Sequence, residues 1–371
     1  MSNSTESPNG FGNKMKKMFL DDVFLVTMFA IILGLLVGAV ALLLAGYNPI
    51  QAYGALIRGV FGKPKYIGWT LVKATPLILT GLSVAFAFRT GLFNIGAEGQ
   101  FMIGALAAAL VGYFVHAPAI IHIPLIIIAG AVAAGFWGGI AGYFKAKFGV
   151  NEVISTIMLN WIALYLNNFM VDIEVFKRYG TEASKDIQDT AKITFDWLSG
   201  IVGNSLKSNY GLVISIAIVI IVYYYLYKTV QGYELRAVGF NKNAAEFGGI
   251  NVNKAMLKSM SIAGALAGIA GALQVSGVSY HVSKLAVSEG YGFNGIAVAL
   301  IGNNTPIGSI FGALLFGGLQ YGGTKMQAPP MKVPPEVISV VIGSIIFFIA
   351  ISNAFRFILK FKEKKAVKEV A

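Results

Sequence analysis

VFLVTMFAIILGLLVGAVALLLA, Val23 to Ala45, runs for 23 residues without a charged side chain. A helix rises about 1.5 Å per residue, so about 20 apolar residues cross a hydrocarbon core of about 30 Å. A secretory signal has a shorter apolar region, about 7–15 residues, followed by a cleavage site. The run therefore reads as an uncleaved first membrane helix. The composition points the same way. The chain of 371 residues is 56% hydrophobic and only 12% charged, with a mean hydropathy of +0.70, where soluble domains carry about 25% charged residues. An all-α polytopic membrane protein is expected.

Similar apolar runs occupy 69–88, 95–115, 120–143, 152–171, 210–228, 257–278, 292–303, 307–324 and 336–358. Together they predict about ten transmembrane helices. The eighth is short and ends at Gly302 to Pro306, so it reads as a broken or half-length span. Backbone of that kind survives at membrane depth only where protein or a cavity surrounds it. Two sets of five crossings imply two inverted halves, an arrangement common in transporters. Phe93-Asn94 before the third run and Phe293-Asn294 in the eighth echo one another faintly.

The net charge of +12 follows the positive-inside rule and requires no nucleic acid. Lys14, Lys16, Lys17, Arg89, Lys145, Lys147, Arg236, Lys242, Lys254, Lys258 and a basic C-terminal tail fall on one side. That side is the expected cytoplasm, with both termini in it. The predicted organisation is a cytoplasmic tail over 1–22, a transmembrane domain over 23–358 and a basic tail over 359–371. An extracytoplasmic loop covers 172–208, and a cytoplasmic loop covers 231–257. With no cysteine in the chain, thiol catalysis, disulfides and Cys-ligated metal are excluded. His116, His122 and His281 make no ligand spacing, and the spans hold no paired carboxylates or Ser-His-Asp arrangement. An intramembrane enzyme is therefore not expected.

Small residues recur at four-residue spacing: Gly130, Ala134, Gly138 and Gly142; Gly264, Gly268 and Ala272; Gly308 and Gly312. Such columns let helix backbones approach closely in lipid. They predict a tight bundle without identifying its task.

GLFNIGAEGQ, Gly91 to Gln100, places three polar side chains between two apolar runs. Gly91 fits a left-handed cap of the second span, and Asn94 fits an N-cap of the third. Glu98 falls one residue too late for a capping box with Asn94. Two readings stay open for Asn94, Glu98 and Gln100. They fix the helix entry through bonds to protein, or they lie on a translocation pathway or gate, where intramembrane ionisable groups concentrate. Asn160, Asn167 and Asn168 in the fifth run pose the same choice, and Asn294 joins the pathway candidates through the echo with Asn94.

The loop QGYELRAVGFNKNAAEFGGINVNKAML, Gln231 to Leu257, contains one short helix. Asn241 or Asn243 serves as N-cap, with Glu246 three residues after Asn243, and Gly248-Gly249 stop it. The small pair Ala244-Ala245 is expected to form a face for a cytoplasmic partner.

GLFNIGAEGQFMIGA, RAVGFNKNAAEFGGINV and FNGIAVALIGNNTPIGSIFGALLFGGL together resemble the permeases of ABC importers. The resemblance is to the simple-sugar and nucleoside permease family, related to ribose and branched-chain amino acid permeases, and covers nearly the whole chain. FNIGAEGQ resembles the nucleoside branch, including guanosine-type permeases of bacteria. The resemblance implies a transport subunit in the bacterial cytoplasmic membrane. Its implied partners are an ATP-binding subunit carrying ATP and Mg, a second and different permease, and an extracytoplasmic substrate-binding lipoprotein. It implies no cofactor in this chain, which has no GxxxxGK[ST] phosphate loop. It also implies that Arg236, Asn241, Ala244, Ala245, Glu246 and Gly249 belong to the element that couples to the ATPase. The alternatives are an ABC permease for a simple sugar such as ribose and an ion-coupled secondary transporter, for which Glu98 is the titratable candidate.

Overall fold

The computed structural model describes residues 22–195 and 209–351. Most of the N-terminal tail, the end of the outer loop, the end of the tenth run and the basic C-terminal tail lie outside the described residues. What is described is helical, and β pairing is limited to isolated bridges such as Ala183 with Ser283.

The chain divides into two compact units, 1–56 with 323–371, and 57–322. These are not the two sequence halves, because the first and last helices share a unit. In the first unit are α1 (Asp22–Leu44), most of α2 (Pro49–Phe61) and α13 (Pro335–Ile351). Helices α1 and α13 meet through glycine. A Cβ on Gly34 would stand 2.6 Å from the Ile345 Cα, and one on Gly38 would stand 2.6 Å from the Tyr53 hydroxyl. That hydroxyl donates to the Leu35 carbonyl at 2.7 Å. The sequence reading missed α2. Its 13 residues are too few for a crossing, and it bends 119° from α1.

The second unit contains α3 (Pro64–Arg89), α4 (Ala97–Phe114), α5 (Ala119–Phe148), α6 (Glu152–Val171) and α7 (Gly211–Lys228). It continues with α8 (Val230–Phe240), α9 (Lys242–Phe247), α10 (Val252–Gln274, with a π turn to Ser279), α11 (Tyr291–Ile301) and most of α12 (Pro306–Met326). Among the described residues six helices are long and apolar enough to cross a membrane, or up to eight if each bent pair counts once. The protein is an all-α polytopic membrane protein. Its eighth apolar run is the short arm of a bent pair, the broken or half-length span that the sequence suggests. Helix α11 has 11 residues, about 16 Å, and turns 118° into α12. The break follows from its letters. Asn303 and Asn304 both take the left-handed conformation, which Asn tolerates better than most residues. Thr305 then accepts from the Gly308 N–H at 3.1 Å, with Pro306 as the first helical residue.

Two glycine columns meet each other. A Cβ on Gly264 would overlap the Ala134 carbonyl, one on Gly268 would overlap that of Gly130, and one on Gly138 would stand 2.5 Å from that of Met260. Helices α5 and α10 therefore touch backbone to backbone. Gly104 of α4 presses on Gly268 from the other side.

Candidate functional site

Helices α4 and α11 both start inside the second unit, and their N-termini meet. Arg89, at the end of α3, donates to the carbonyls of Asn304 (2.7 Å) and Asn303 (3.3 Å) in the α11–α12 turn. At the other end of α11, the Tyr291 carbonyl accepts from Thr80 at 3.0 Å. Thr80 precedes Arg89 by nine residues, roughly 14 Å along α3. Helix α11 thus begins that far from the Arg89 end and runs toward it. Helix α4 begins beside Ser83, which bonds Asn94 at 3.3 Å. It ends where the Gly112 carbonyl accepts from Gln188 at 2.9 Å, beside the segment in which Ile187 bonds Tyr280 at 2.8 Å. That is the far end of α10, whose near end bonds Thr90 through Ser259 at 2.9 Å. The two helices, 18-residue α4 and 11-residue α11, therefore point in opposite directions from adjoining N-termini.

One carboxylate lies at both N-termini. Glu98 is fully buried in the first turn of α4. Its Oε1 accepts from the Gly290 N–H at 2.7 Å, and its Oε2 from those of Gly292 (2.6 Å) and Phe293 (3.2 Å). The first N–H groups of a helix lack intrahelical partners, and the helix dipole favours an anion there. Glu98 therefore fixes a helix entry, that of α11, through backbone bonds. Gly292 is required for this approach, since a Cβ would overlap the backbone of Ala97 and Glu98.

Asn94 does not cap α4. The N-cap is Gly96, with no side-chain bond. Asn94 instead pairs reciprocally with Gln100, donating to Oε1 at 2.8 Å and accepting from Nε2 at 3.1 Å. The start of α4 is satisfied from α6, where Asn160 accepts from the Gly99 N–H at 2.8 Å and donates to the Ile95 carbonyl at 3.1 Å. Gly91 does take the left-handed conformation, φ +73°. The structure thus brings Asn94, Glu98, Gln100 and Asn160 together, while no hydrogen bond joins the half-buried Asn294 side chain to them. Asn167 and Asn168 serve elsewhere, holding the carbonyls of Ser283 (2.9 Å) and Leu285 (2.8 Å). Sequence reading passed over Lys73, although an ammonium inside the run 69–88 is a signal, and it passed over Glu289.

The predicted cytoplasmic loop forms α8 and α9. Thr229 caps α8, accepting from the Gly232 N–H at 3.1 Å, and Asn241 caps α9, accepting from that of Ala244 at 3.1 Å. Asn243 lies inside α9 and is not its cap. Gly248 and Gly249, the latter at φ +82°, end it. Arg236 turns back onto α7, donating to the Leu226 carbonyl at 3.0 Å with its guanidinium 5.1 Å from the Tyr227 ring centre. Ala244 and Ala245 do not share a face, because consecutive helical residues point about 100° apart. Ala244 and Glu246 are exposed, whereas Ala245 is buried. The outward apolar groups are Val230, Tyr233, Phe240 and Phe247, the last 96% exposed. A groove of about 470 Å³ runs between α8 and α9, lined by Val230, Tyr233, Phe240, Ala244 and Ile250 among others. Gly239 of α8 presses directly on Arg89 and Gly91, the end of α3 that holds the α11–α12 turn.

Residues 66–350 match the family model described as branched-chain amino acid transport system / permease component. The chain is 44% identical to a guanosine ABC transporter permease protein of Bacillus subtilis over 343 residues, 92% of this chain and 97% of the relative. It is 40% identical to a nucleoside ABC transporter permease protein of Lactococcus lactis subsp. cremoris over 361 residues, 96% of each. A glucose ABC transporter permease protein of Haloferax volcanii is 34% identical over 287 residues, 76% of this chain and 75% of the relative. No solved structure matches the chain. A match across this much of the sequence, on a bundle of membrane-length helices, makes the chain a member of the branched-chain amino acid transport system / permease component family.

Proposed function

We propose that this chain is the membrane-spanning permease subunit of an ATP-driven importer of nucleosides. The observation that carries the reading is likeness over more than nine-tenths of the chain to two relatives named for guanosine and nucleoside transport. On this reading ATP and Mg bind a partner ATPase, a second permease completes the pathway, and an extracytoplasmic lipoprotein delivers the substrate. The chain sits in the bacterial cytoplasmic membrane with both termini inside.

Geometry supports a route for coupling. The ATPase seats on α8–α9, where Asn241 and Gly249 shape α9, Ala244, Glu246 and the exposed Phe240 and Phe247 face outward, and Ala245 and Arg236 hold the element to its own chain. Motion of α8 reaches Arg89 through Gly239, and Arg89 passes it to the α11–α12 turn. The far end of α11 is clamped by Glu98, so a push at the turn rotates α11 about that clamp. Asn94, Gln100 and Asn160 hold the α4 entry that carries the clamp. Asn294, one turn into α11, moves with it.

Uptake by cells with and without the gene tests the reading. Radiolabelled guanosine or another nucleoside should enter more slowly in the deletion strain, with glucose and ribose unchanged. Uptake should stop on ATP depletion and persist when an uncoupler collapses the proton gradient while ATP is maintained. Loss confined to a sugar, or dependence on the ion gradient alone, overturns the proposal.

A further inference from the structure

The chain that joins α10 to α11 is a strap between two unusual backbone points. At one end the π turn Val275–Ser279 closes α10, and Tyr280 follows at φ +66°. π turns recur at functional sites, and bulky side chains in the left-handed region concentrate in site and switch segments. At the other end Gly290 takes φ +85° and is held by Glu98. Residues 281–289 form no helix, and Ser283 pairs with Ala183 in an isolated antiparallel bridge.

Polar bonds hold the strap from both sides. On α6, Asn168 accepts from the Leu285 N–H at 2.9 Å and donates to its carbonyl at 2.8 Å, and Asn167 donates to the Ser283 carbonyl at 2.9 Å. From the segment after α6, the Ile187 N–H donates to the Tyr280 carbonyl and the Ser184 N–H to that of Val282. The Lys284 N–H returns a bond to the Glu182 carbonyl, and all three bonds are 2.8 Å long. Beside Leu285, Ala286 and Val287 are exposed. Hydrogen bonds at such an edge exchange with water at small net cost, whereas the glycine contact of α5 with α10 is locked by packing. Beneath the strap lies a cavity of about 60 Å³, with His281, Ser283 and Leu285 above and Ala105, Asn167 and Gln274 below. It has room for water and none for a sugar ring or a base. The strap is therefore down, closing the bundle at the end away from Arg89.

We propose that residues 280–289 are a lid, latched by Asn167, Asn168 and the segment 182–187, that lifts during each transport cycle. Strap and α11 are the two arms of one chain on either side of the Glu98 clamp, so rotation of α11 about the clamp swings the strap the other way. This inference rests on the coupling route proposed above.

The chain has no cysteine, so the lid can be locked by one introduced pair. Ala183 and Ser283 are flanked by the Ser184–Val282 and Lys284–Glu182 bonds. That makes them a non-hydrogen-bonded antiparallel pair with Cα atoms about 4.5 Å apart, within the range of about 4.4–6.8 Å that a disulfide spans. Guanosine uptake is measured in proteoliposomes containing the complete transporter with its ATPase and binding protein. The unaltered complex, with and without oxidant, is the control. If it moves no nucleoside, the nucleoside reading fails and not this one in particular, and the lid is tested with whichever of glucose or ribose the complex moves. With the control satisfied, reduced Ala183→Cys/Ser283→Cys should transport at nearly the unaltered rate. Oxidation should lower uptake by about tenfold or more, since a lid that cannot open stops turnover, and reductant should restore it. Undiminished uptake by the disulfide-linked form, its link verified by mass, overturns the proposal. So does failure of the two thiols to join under oxidant. If the double variant does not assemble, Ala105→Cys beneath the strap takes its place. Its thiol should react with a water-soluble methanethiosulfonate several-fold faster during ATP turnover than at rest, and equal rates overturn the lid.

Discussion

At the α4–α11 junction, Asn94, Glu98 and Gln100 are buried and each polar arm ends on protein. On α8–α9 the reverse holds: Phe240 and Phe247 are 86% and 96% exposed. In the membrane interior an unbonded polar group is the costly choice. Outside it, an uncovered large apolar patch is the unusual one, and marks a surface for a partner. The contrast teaches where each region's energy is completed. The junction is complete within the chain, so its substitutions should act first on stability. On the proposed coupling role a partner covers the α8–α9 face, so its substitutions should act first on assembly.

The largest effect is expected from Glu98→Ala. It leaves three backbone donors of α11 without their acceptor, at about 1–3 kcal/mol for each that stays unsatisfied. Thermal stability of the purified permease should fall sharply, with uptake falling in parallel. Glu98→Gln keeps one acceptor oxygen and should fall between the two. Full stability in Glu98→Ala would break the assignment of this carboxylate as the clamp of α11.

Next comes a pair of substitutions on α9 that sharpen the contrast within three residues. Phe247→Ser removes an exposed ring, so permease stability should stay within about 0.5 kcal/mol. Retention of the ATPase subunit and ATP-driven uptake should both drop. Ala245→Glu places a carboxylate at a buried position and should lower permease stability as well. Its loss of uptake would therefore not by itself locate the partner. Intact ATPase retention in Phe247→Ser would remove this face from the interface.

Part of this molecule was legible in its letters. The columns Gly130–Gly142 and Gly264–Ala272 announce close helix contact by spacing alone, and they meet in the fold. Gly302 to Pro306 announces the break after α11, because Asn303, Asn304 and Pro306 each favour non-helical backbone or a new start. The partners of Glu98 were not legible. They are backbone N–H groups about 190 residues away, and a backbone donor has no side-chain signature. Asn94 misled because an N-cap is a local pattern, whereas its reciprocal bond to Gln100 requires the tertiary placement of Ser83 and α4. Ala245 misled for a related reason: composition gives a small residue, and only packing decides which side it faces. Helix α2 escaped notice because 13 residues fall below the length that hydropathy detects.

The smallest effect is expected in the segment that follows α6, where exposed charges hold the chain in place. Asp172 pairs with Lys284 at 2.7 Å and Lys177 at 2.9 Å. Lys284 first, then Lys177, draws the Asp172 carboxyl below its usual range. The sign follows from linkage. A carboxylate whose folded pKa is depressed contributes above its unfolded value, about 3.9, and loses that contribution as pH falls through the lower folded value. Hydrogen exchange of residues 172–187 and 280–285 should therefore be level from pH 7 to about 5, after correction for the intrinsic rate, and should quicken only below about pH 4. Asp172→Asn should flatten that acid step while leaving nucleoside uptake at neutral pH nearly unchanged. The pair is solvent-exposed, so salt should weaken it over the same range. An acid step that survives in Asp172→Asn would place its origin in another carboxylate, with Asp186 the next to substitute, since it faces both Arg178 and His281.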